Sequence, residues 1–209
     1  MKLILIGASG AGKGTQASIL KERYNIPHIS TGDIFRSHIR EKTKIGVMVK
    51  EILDNGKLVP DNVTLDIVKL RLAEEDCENG FILDGFPRNI SQAESLEAIV
   101  GIDKAIYISV GDDVLVSRLS GRLNCKSCGA MYNTVSAAPK VANICDNCNH
   151  ELFQRDDDKE EVVRSRVALF KELTMPLIHY YEEHDALIEV DGVGNVNDIT
   201  SSILKKLEG

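Results

Sequence analysis

Residues 3–15 constrain this chain more than any other stretch. Leu3-Ile4-Leu5-Ile6 is a continuous apolar run, and it stops at Gly7-Ala8-Ser9-Gly10-Ala11-Gly12-Lys13-Gly14-Thr15. A short apolar run that ends in glycines reads as a strand buried on both faces of a parallel sheet. A helical pattern starts near Lys13. Strand, Gly-x-x-x-x-Gly-Lys and helix in that order describe a phosphate-binding loop. Its glycines let the backbone fold into a concavity of N–H groups, and the helix points its positive end at the same anion. Lys13 is placed to reach the outer phosphates. The strict motif has Ser or Thr directly after the lysine; here Gly14 comes first and Thr15 second. Gly10, Ala11, Gly12, Lys13, Gly14 and Thr15 are the candidate phosphate contacts. The loop alone specifies a nucleotide-phosphate site and nothing finer.

The remainder alternates between two periods. Further apolar runs at 27–29, 81–83, 105–108 and 186–190 read as strands. Helical patterns lie between them at about 61–77, 90–99, 112–120, 160–183 and 195–208. This alternation predicts an α/β fold, a parallel sheet flanked by helices with right-handed crossovers. Two segments break the rhythm. Residues 30–59 are helical and polar, and residues 121–158 are irregular. Both are expected as insertions into a core made of 1–29, 60–120 and 159–209.

Composition excludes other classes. No apolar run approaches the ~18 residues of a membrane span, and the N-terminal run is too short for a signal segment. A cytoplasmic protein without membrane partners is expected. The net charge of -7 argues against general nucleic-acid binding, which needs a basic face. Four of the five cysteines form two pairs, Cys125-x2-Cys128 and Cys145-x2-Cys148, with sixteen residues between them. That is the spacing of a four-thiolate zinc site. Four thiolates leave no open position, so the metal is expected to be structural. The insertion has few large apolar residues, and metal binding would supply its folding energy. The fifth cysteine, Cys77, reads as an inert thiol.

Several motifs resemble those of adenylate kinases and their nucleoside-monophosphate kinase relatives. They are the Gly-Lys-Gly-Thr ending of the loop, Ser30-Thr31-Gly32-Asp33-Ile34-Phe35-Arg36, Gly56-Lys57-Leu58-Val59-Pro60-Asp61, and Asp84-Gly85-Phe86-Pro87-Arg88 with Gln92. Gly121-Arg122, Arg155-x-Asp157-Asp158 and Arg164-Ser165-Arg166 complete the set. The match covers about residues 1–196. The resemblance implies transfer of the ATP γ-phosphate to AMP, giving two ADP, by a protein expected to be monomeric. It makes 30–59 a monophosphate-binding insertion and 121–158 a zinc-bearing lid of the long type. It implies that Lys13, Asp84, Arg88, Arg122, Arg155 and Arg166 serve the chemistry, with Mg²⁺ arriving on ATP. ATP contacts fall to the loop and to Arg118, Arg122, Met131, Tyr132 and Gly194. AMP contacts fall to Thr31, Arg36, Lys57, Leu58, Val59, Gly85, Phe86, Pro87, Arg88, Gln92, Arg155 and Arg166. Permanently charged planar forks suit a reaction that is mostly positioning and charge stabilisation.

Three positions depart from the family pattern. Ser9 stands where proline is usual, which removes a φ restraint and predicts a more mobile empty loop. Asn62 replaces a frequent Glu, and Leu123 replaces a second lid arginine. Two rivals remain at this level. Within the kinases, the acceptor is UMP, CMP or GMP. From another class, the cysteine module is a nucleic-acid-binding ribbon, although 125–150 holds only two lysines, no arginine and one aromatic, Tyr132.

Overall fold

The computed structural model describes residues 1–134 and 137–209. The expected 121–158 insertion therefore falls outside it at Val135 and Ser136. The chain runs β1 (Lys2–Ile6), α1 (Lys13–Tyr24), β2 (His28–Ser30), α2 (Thr31–Arg40), α3 (Lys44–Asp54), α4 (Asp61–Leu72), β3 (Phe81–Asp84), α5 (Ile90–Glu97), β4 (Lys104–Ser109) and α6 (Asp112–Ser120). It continues through β5 (Arg122–Cys125), β6 (Met131–Asn133), β7 (Leu152–Phe153), α7 (Glu160–Leu169), α8 (Pro176–Glu183), β8 (Leu187–Asp191) and α9 (Val196–Glu208).

Five strands form a parallel sheet in the order β2-β3-β1-β4-β8. Along β1, Leu3 and Leu5 join one hydrophobic cluster, with Leu20, Ile106 and Ile188. Ile4 and Ile6 join the other, with Leu83, Phe86 and Leu177. Both faces of the strand are buried, which is why its sequence is uniformly apolar rather than alternating. From β1 the chain goes to β2 and β3 on one side, then crosses to β4 and β8 on the other. The loop after β1 lies where these connections diverge, the place at which such sheets bind ligands. Register sets Asp84 beside both Leu5 and Ser30, so the ends of β1, β2 and β3 share one edge.

Two smaller clusters lie outside the sheet. Phe35, Val49, Val59 and Ile67 pack α2, α3 and α4 together. Cys125, Cys145 and Leu152 are the buried members of the other. There the structure differs from the irregular segment expected: β6-β5-β7 form a small antiparallel sheet. These strands are two to four residues long, too short for an alternation pattern to show.

The helix expected over 160–183 is also interrupted. Pro176 has no N–H and its ring clashes with the preceding turn. The chain widens into a π-helical turn at Phe170–Thr174, closed by Met175 N–H donating to Phe170 O at 3.0 Å. The helix expected over 61–77 stops at Leu72. Glu74 is extended, and Arg71 pairs with Asp76 at 2.7 Å across the turn that follows. Cys77 is buried there, and burial pushes its thiol up. No helix among the described residues is long and apolar enough to cross a membrane.

Candidate functional site

The phosphate loop is built as its glycines demand. Gly10 and Gly12 have φ of +87° and +99°, a region that glycine enters without steric cost. Gly12 caps α1, whose first N–H groups lack intrahelical partners by geometry and face the loop's hollow. Lys13 folds back over it: Nζ donates to Gly7 O at 2.9 Å and Ala8 O at 3.1 Å, and lies 3.9 Å from Asp84 Oδ1. Burial lowers the Lys13 pKa; Asp84 opposes this, and Arg88, Arg166 and Arg122 add repulsion. Asp84 feels the reverse. Burial penalises its carboxylate, but Lys13, His28 and Arg88 outweigh that and hold it below the usual carboxylate range.

Arginines from four segments converge here: Arg88 after β3, Arg122 on β5, Arg155 before α7 and Arg166 on α7. Arg88 Nε donates to Gly85 O at 2.8 Å. Its backbone is held at both ends: the N–H donates to Gln92 Oε1 at 2.7 Å, and the carbonyl accepts from Thr174 Oγ1 at 2.8 Å. Arg166 Nη1 donates to Asp157 O at 2.8 Å and Asp157 Oδ2 at 2.6 Å, while Nη2 donates to Ser9 Oγ at 2.7 Å. Arg122 forks onto Asp158 at 2.7 and 2.5 Å, and that carboxylate is wholly buried. Arg155 donates to Asn124 Oδ1 at 2.6 Å. Burial, then mutual repulsion among these cations, lowers Arg88 to about 10 and Arg155 to about 10. At neutral pH both remain charged, so the cleft concentrates cations that an anion would relieve.

Two clefts meet at this cluster. The first has an open volume of about 520 Å³ and is lined by Gly7, Ser9, Lys13, Pro87, Arg88 and Arg166, among others. The second, of about 340 Å³, is lined by Thr31, Lys57, Val59, Gln92 and their neighbours. Leu58, Gly85 and Arg88 belong to both. Gly56, with φ of +68°, lines the first cleft and lets the chain approach α7 there: a Cβ on it would stand 2.8 Å from Arg166 Cγ.

In the second cleft Thr31 Oγ1 donates to Gly85 O at 3.0 Å. Gln92 is 4% exposed. Its Nε2 donates to Asp61 Oδ1 at 2.6 Å. One lone pair on Oε1 and one hydrogen on Nε2 are thus left over. Arg36 lies on α2 beside Gly32 and pairs with Asp33 at 2.5 Å.

The four paired cysteines come together. All four sulfurs lie within 4.8 Å of one another, with Cys125–Cys148 at 3.4 Å and Cys128–Cys145 at 3.5 Å. Sulfurs at about 2.3 Å from a tetrahedral zinc stand about 3.8 Å apart, so the set is compatible with zinc. Among the described residues it is the group of metal-ligating side chains found. His150, near enough in sequence to substitute, has Nδ1 2.9 Å from Cys148 O. Tyr132 directs its hydroxyl to the cluster: the oxygen accepts from Asp146 N–H at 2.8 Å and lies 3.6 Å from Cys145 Sγ. Its neighbour Met131 faces the other way, and a Cβ on Gly14 would be 4.0 Å from both Met131 Cε and Asp84 Oδ2. One short strand thus touches thiol cluster and phosphate loop.

Arg118 bridges Gly10 O at 3.4 Å and Gly192 O at 3.0 Å, which brings the Gly194 loop to the phosphate loop's side. Phe86 gives neither cleft its side chain; it is wholly buried in the core beneath β3. Sequence reasoning gave no role to Asp157, Asp158, Asn124, Thr174 or His28, which hold the charged groups in place. His28 Nε2 lies 3.5 Å from Asp84 Oδ2. Single polar residues in loops and helices carry no periodic signal, so only the Asp157-Asp158 pair beside Arg155 was visible.

A parallel sheet with a phosphate loop at its divergence point and a cationic cleft beside it defines a P-loop nucleotide-binding protein. The chain matches the family model for adenylate kinase over residues 5–186, and it belongs to the adenylate kinase family. It is 52% identical over 214 residues to an adenylate kinase of Acetivibrio thermocellus, covering 100% of this chain and 99% of that one. It is 51% identical over 208 residues to an adenylate kinase of Methanosarcina mazei, covering 97% and 96%. With an adenylate kinase of Caldicellulosiruptor saccharolyticus the identity is 49% over 212 residues, covering 99% of each chain.

Proposed function

We propose that this chain reversibly transfers the γ-phosphoryl group of ATP to AMP, giving two ADP. The observation that carries this reading is the wall shared by the two clefts, with Arg88 in both. A donor in the first cleft, its phosphates on the loop, and an acceptor in the second present their anionic ends to one guanidinium. An AMP phosphate oxygen then attacks the γ-phosphorus as the bond to the β–γ bridging oxygen breaks.

The protein's part is positioning and charge. The loop amides of Gly10 to Thr15 hold the ATP phosphates, and Lys13 accompanies the moving group. Arg88 and Arg166 bridge donor and acceptor, and Arg36 holds the AMP phosphate. Arg122 and Arg155 approach from the lid. Mg²⁺ brought with ATP would supply charge neutralisation at the phosphates, and the ionised Asp84 is suited to hold its waters. Thr31, Lys57, Leu58, Val59, Gly85 and Gln92 receive AMP. Arg118, Met131, Tyr132 and Gly194 surround the ATP base and sugar. Zinc on Cys125, Cys128, Cys145 and Cys148 is structural. The working division is a core of 1–29, 60–120 and 159–209, an AMP-binding segment of 30–59 and a lid of 121–158.

A coupled assay for ADP, with ATP and Mg²⁺ and each of AMP, CMP, UMP and GMP, tests the reading. ADP from AMP in strong preference to the others is expected. Absence of ADP formation, or equal turnover of CMP, overturns it. Base choice has its own test. The spare acceptor and donor on the Gln92 amide complement the adenine 6-amino group and N1. Gln92→Ala, and to a lesser degree Thr31→Ala, are expected to lower the AMP-over-GMP preference by about tenfold or more, because guanine presents an acceptor and a donor where adenine presents a donor and an acceptor, and leaves the amide unpaired. Full discrimination in both variants removes the adenine-reading role.

A further inference from the structure

The phosphate loop is tied to α7 by a side chain with no place in the reading above. Ser9 Oγ accepts from Arg166 Nη2 at 2.7 Å, and both residues line the first cleft with Lys13. We propose that Ser9 is a positioning residue: its hydroxyl holds Arg166 against the phosphate loop, oriented for the transferring phosphate before the nucleotides arrive. This rests on the kinase reading above.

The argument lies in what else pulls on Arg166. Its Nη1 is bound to the carbonyl and carboxylate of Asp157, and Asp158 Oδ1 lies 3.5 Å from the same nitrogen. Both carboxylates draw the guanidinium toward the lid hinge. On the loop side it also meets repulsion, since Lys13 counts Arg166 among the cations that lower its pKa. Ser9 Oγ opposes both pulls at short range. A guanidinium has five N–H groups; with Nη1 on Asp157 and one Nη2 hydrogen on Ser9, Nε and the second Nη2 hydrogen are left for phosphate oxygens. A serine oxygen that accepts in this way keeps its own proton to donate to the same anion. Without the hydroxyl, Arg166 is left to swing toward Asp157 and Asp158 and must be drawn back during each turnover.

The test uses the whole chain and five variants. Ser9→Ala is expected to lower kcat by about tenfold with KM for ATP changed by less than about twofold, the pattern of an interaction realised mainly in the transition state. Ser9→Thr keeps the hydroxyl and should restore most of the rate. Ser9→Pro stiffens the loop without a hydroxyl and should fall with Ser9→Ala. In an Arg166→Lys background, Ser9→Ala should change kcat by less than about twofold, because the partner is gone. The proposal is overturned if Ser9→Ala matches the wild type, if Ser9→Pro restores the rate, or if the Ser9→Ala effect persists undiminished in the Arg166→Lys background. The Arg166 Nη resonances of the nucleotide-free protein report the tether without turnover. They should be resolved in the wild type and Ser9→Thr and averaged by rotation in Ser9→Ala; averaging in the wild type also overturns the proposal. If the wild type makes no ADP but shows this resonance pattern, the kinase reading fails while the tether stands.

Discussion

Replacing Lys13 with alanine is expected to cut kcat for ADP formation by about 10²- to 10³-fold, the range seen when one preorganised charge-stabilising donor is removed. The fold should survive. The ammonium sits in a desolvated cleft where burial and three arginines disfavour it. Its two hydrogen bonds go to loop carbonyls that cleft water can satisfy instead. A thermal midpoint within about 3 °C of the wild type is expected, since about 1 kcal/mol moves a protein of this size by that much. The effect belongs to the reaction because no other ammonium stands at the loop among its lining residues. Arginines beside it are tied to Gly85, Asp157 and Ser9, and none replaces a point charge that follows the moving phosphoryl group. Measurement of kcat together with the melting curve decides the matter. Retention of more than about a tenth of kcat, a barrier change below ~1.4 kcal/mol, means Lys13 is not a catalytic group.

On the zinc reading proposed above, chelation is expected to unfold the β5-β6-β7 region before the parallel sheet, and to lower the rate by about tenfold or more through mis-aimed groups. The region has little else to hold it. Its buried cluster is Cys125, Cys145 and Leu152, and two of those three are thiols of the site. Metal binding of order ~10 kcal/mol is more than such a core supplies. The rate should follow because the phosphate-facing parts are mounted on this sheet. Arg122 opens β5, Arg155 leans on Asn124 in the same strand, and Met131 reaches over Gly14. Hydrogen exchange after chelation, read at amides such as Cys125 and Thr134, gives the local unfolding. An ADP assay gives the rate. Cys128→Ser should show a milder form of both, as three thiolates still bind metal weakly. If the metal-free protein keeps both its lid protection and its full rate, the metal does not organise this region.

The two expected losses differ in how visible their causes were. Lys13 is legible because its role is local: strand, glycine turn and lysine follow each other directly, and backbone geometry does the rest. The four cysteines are legible because metal ligands come in short fixed spacings. Arg36, Arg88, Arg122, Arg155 and Arg166 were named through resemblance, since no spacing rule relates side chains on five separate segments. The small antiparallel sheet is not legible because strands of two to four residues are too short to alternate. The break in the 160–183 helix was missed although Pro176 signalled it.

What the sequence determined by itself was the order of buried strands and helices, the phosphate loop and the thiol set, because each is written in residues close along the chain. What only the tertiary structure decided was how the charges are held. Thr174 reaches Arg88 across 86 residues and Ser9 meets Arg166 across 157. Ser9 illustrates the difference. As a letter in the loop it signified only a missing proline, with a looser backbone as the consequence. In the fold its hydroxyl lies against a guanidinium, because the sheet brings the end of β1 under α7. A hydrogen bond depends on distance in space, and distance along the chain carries no record of it.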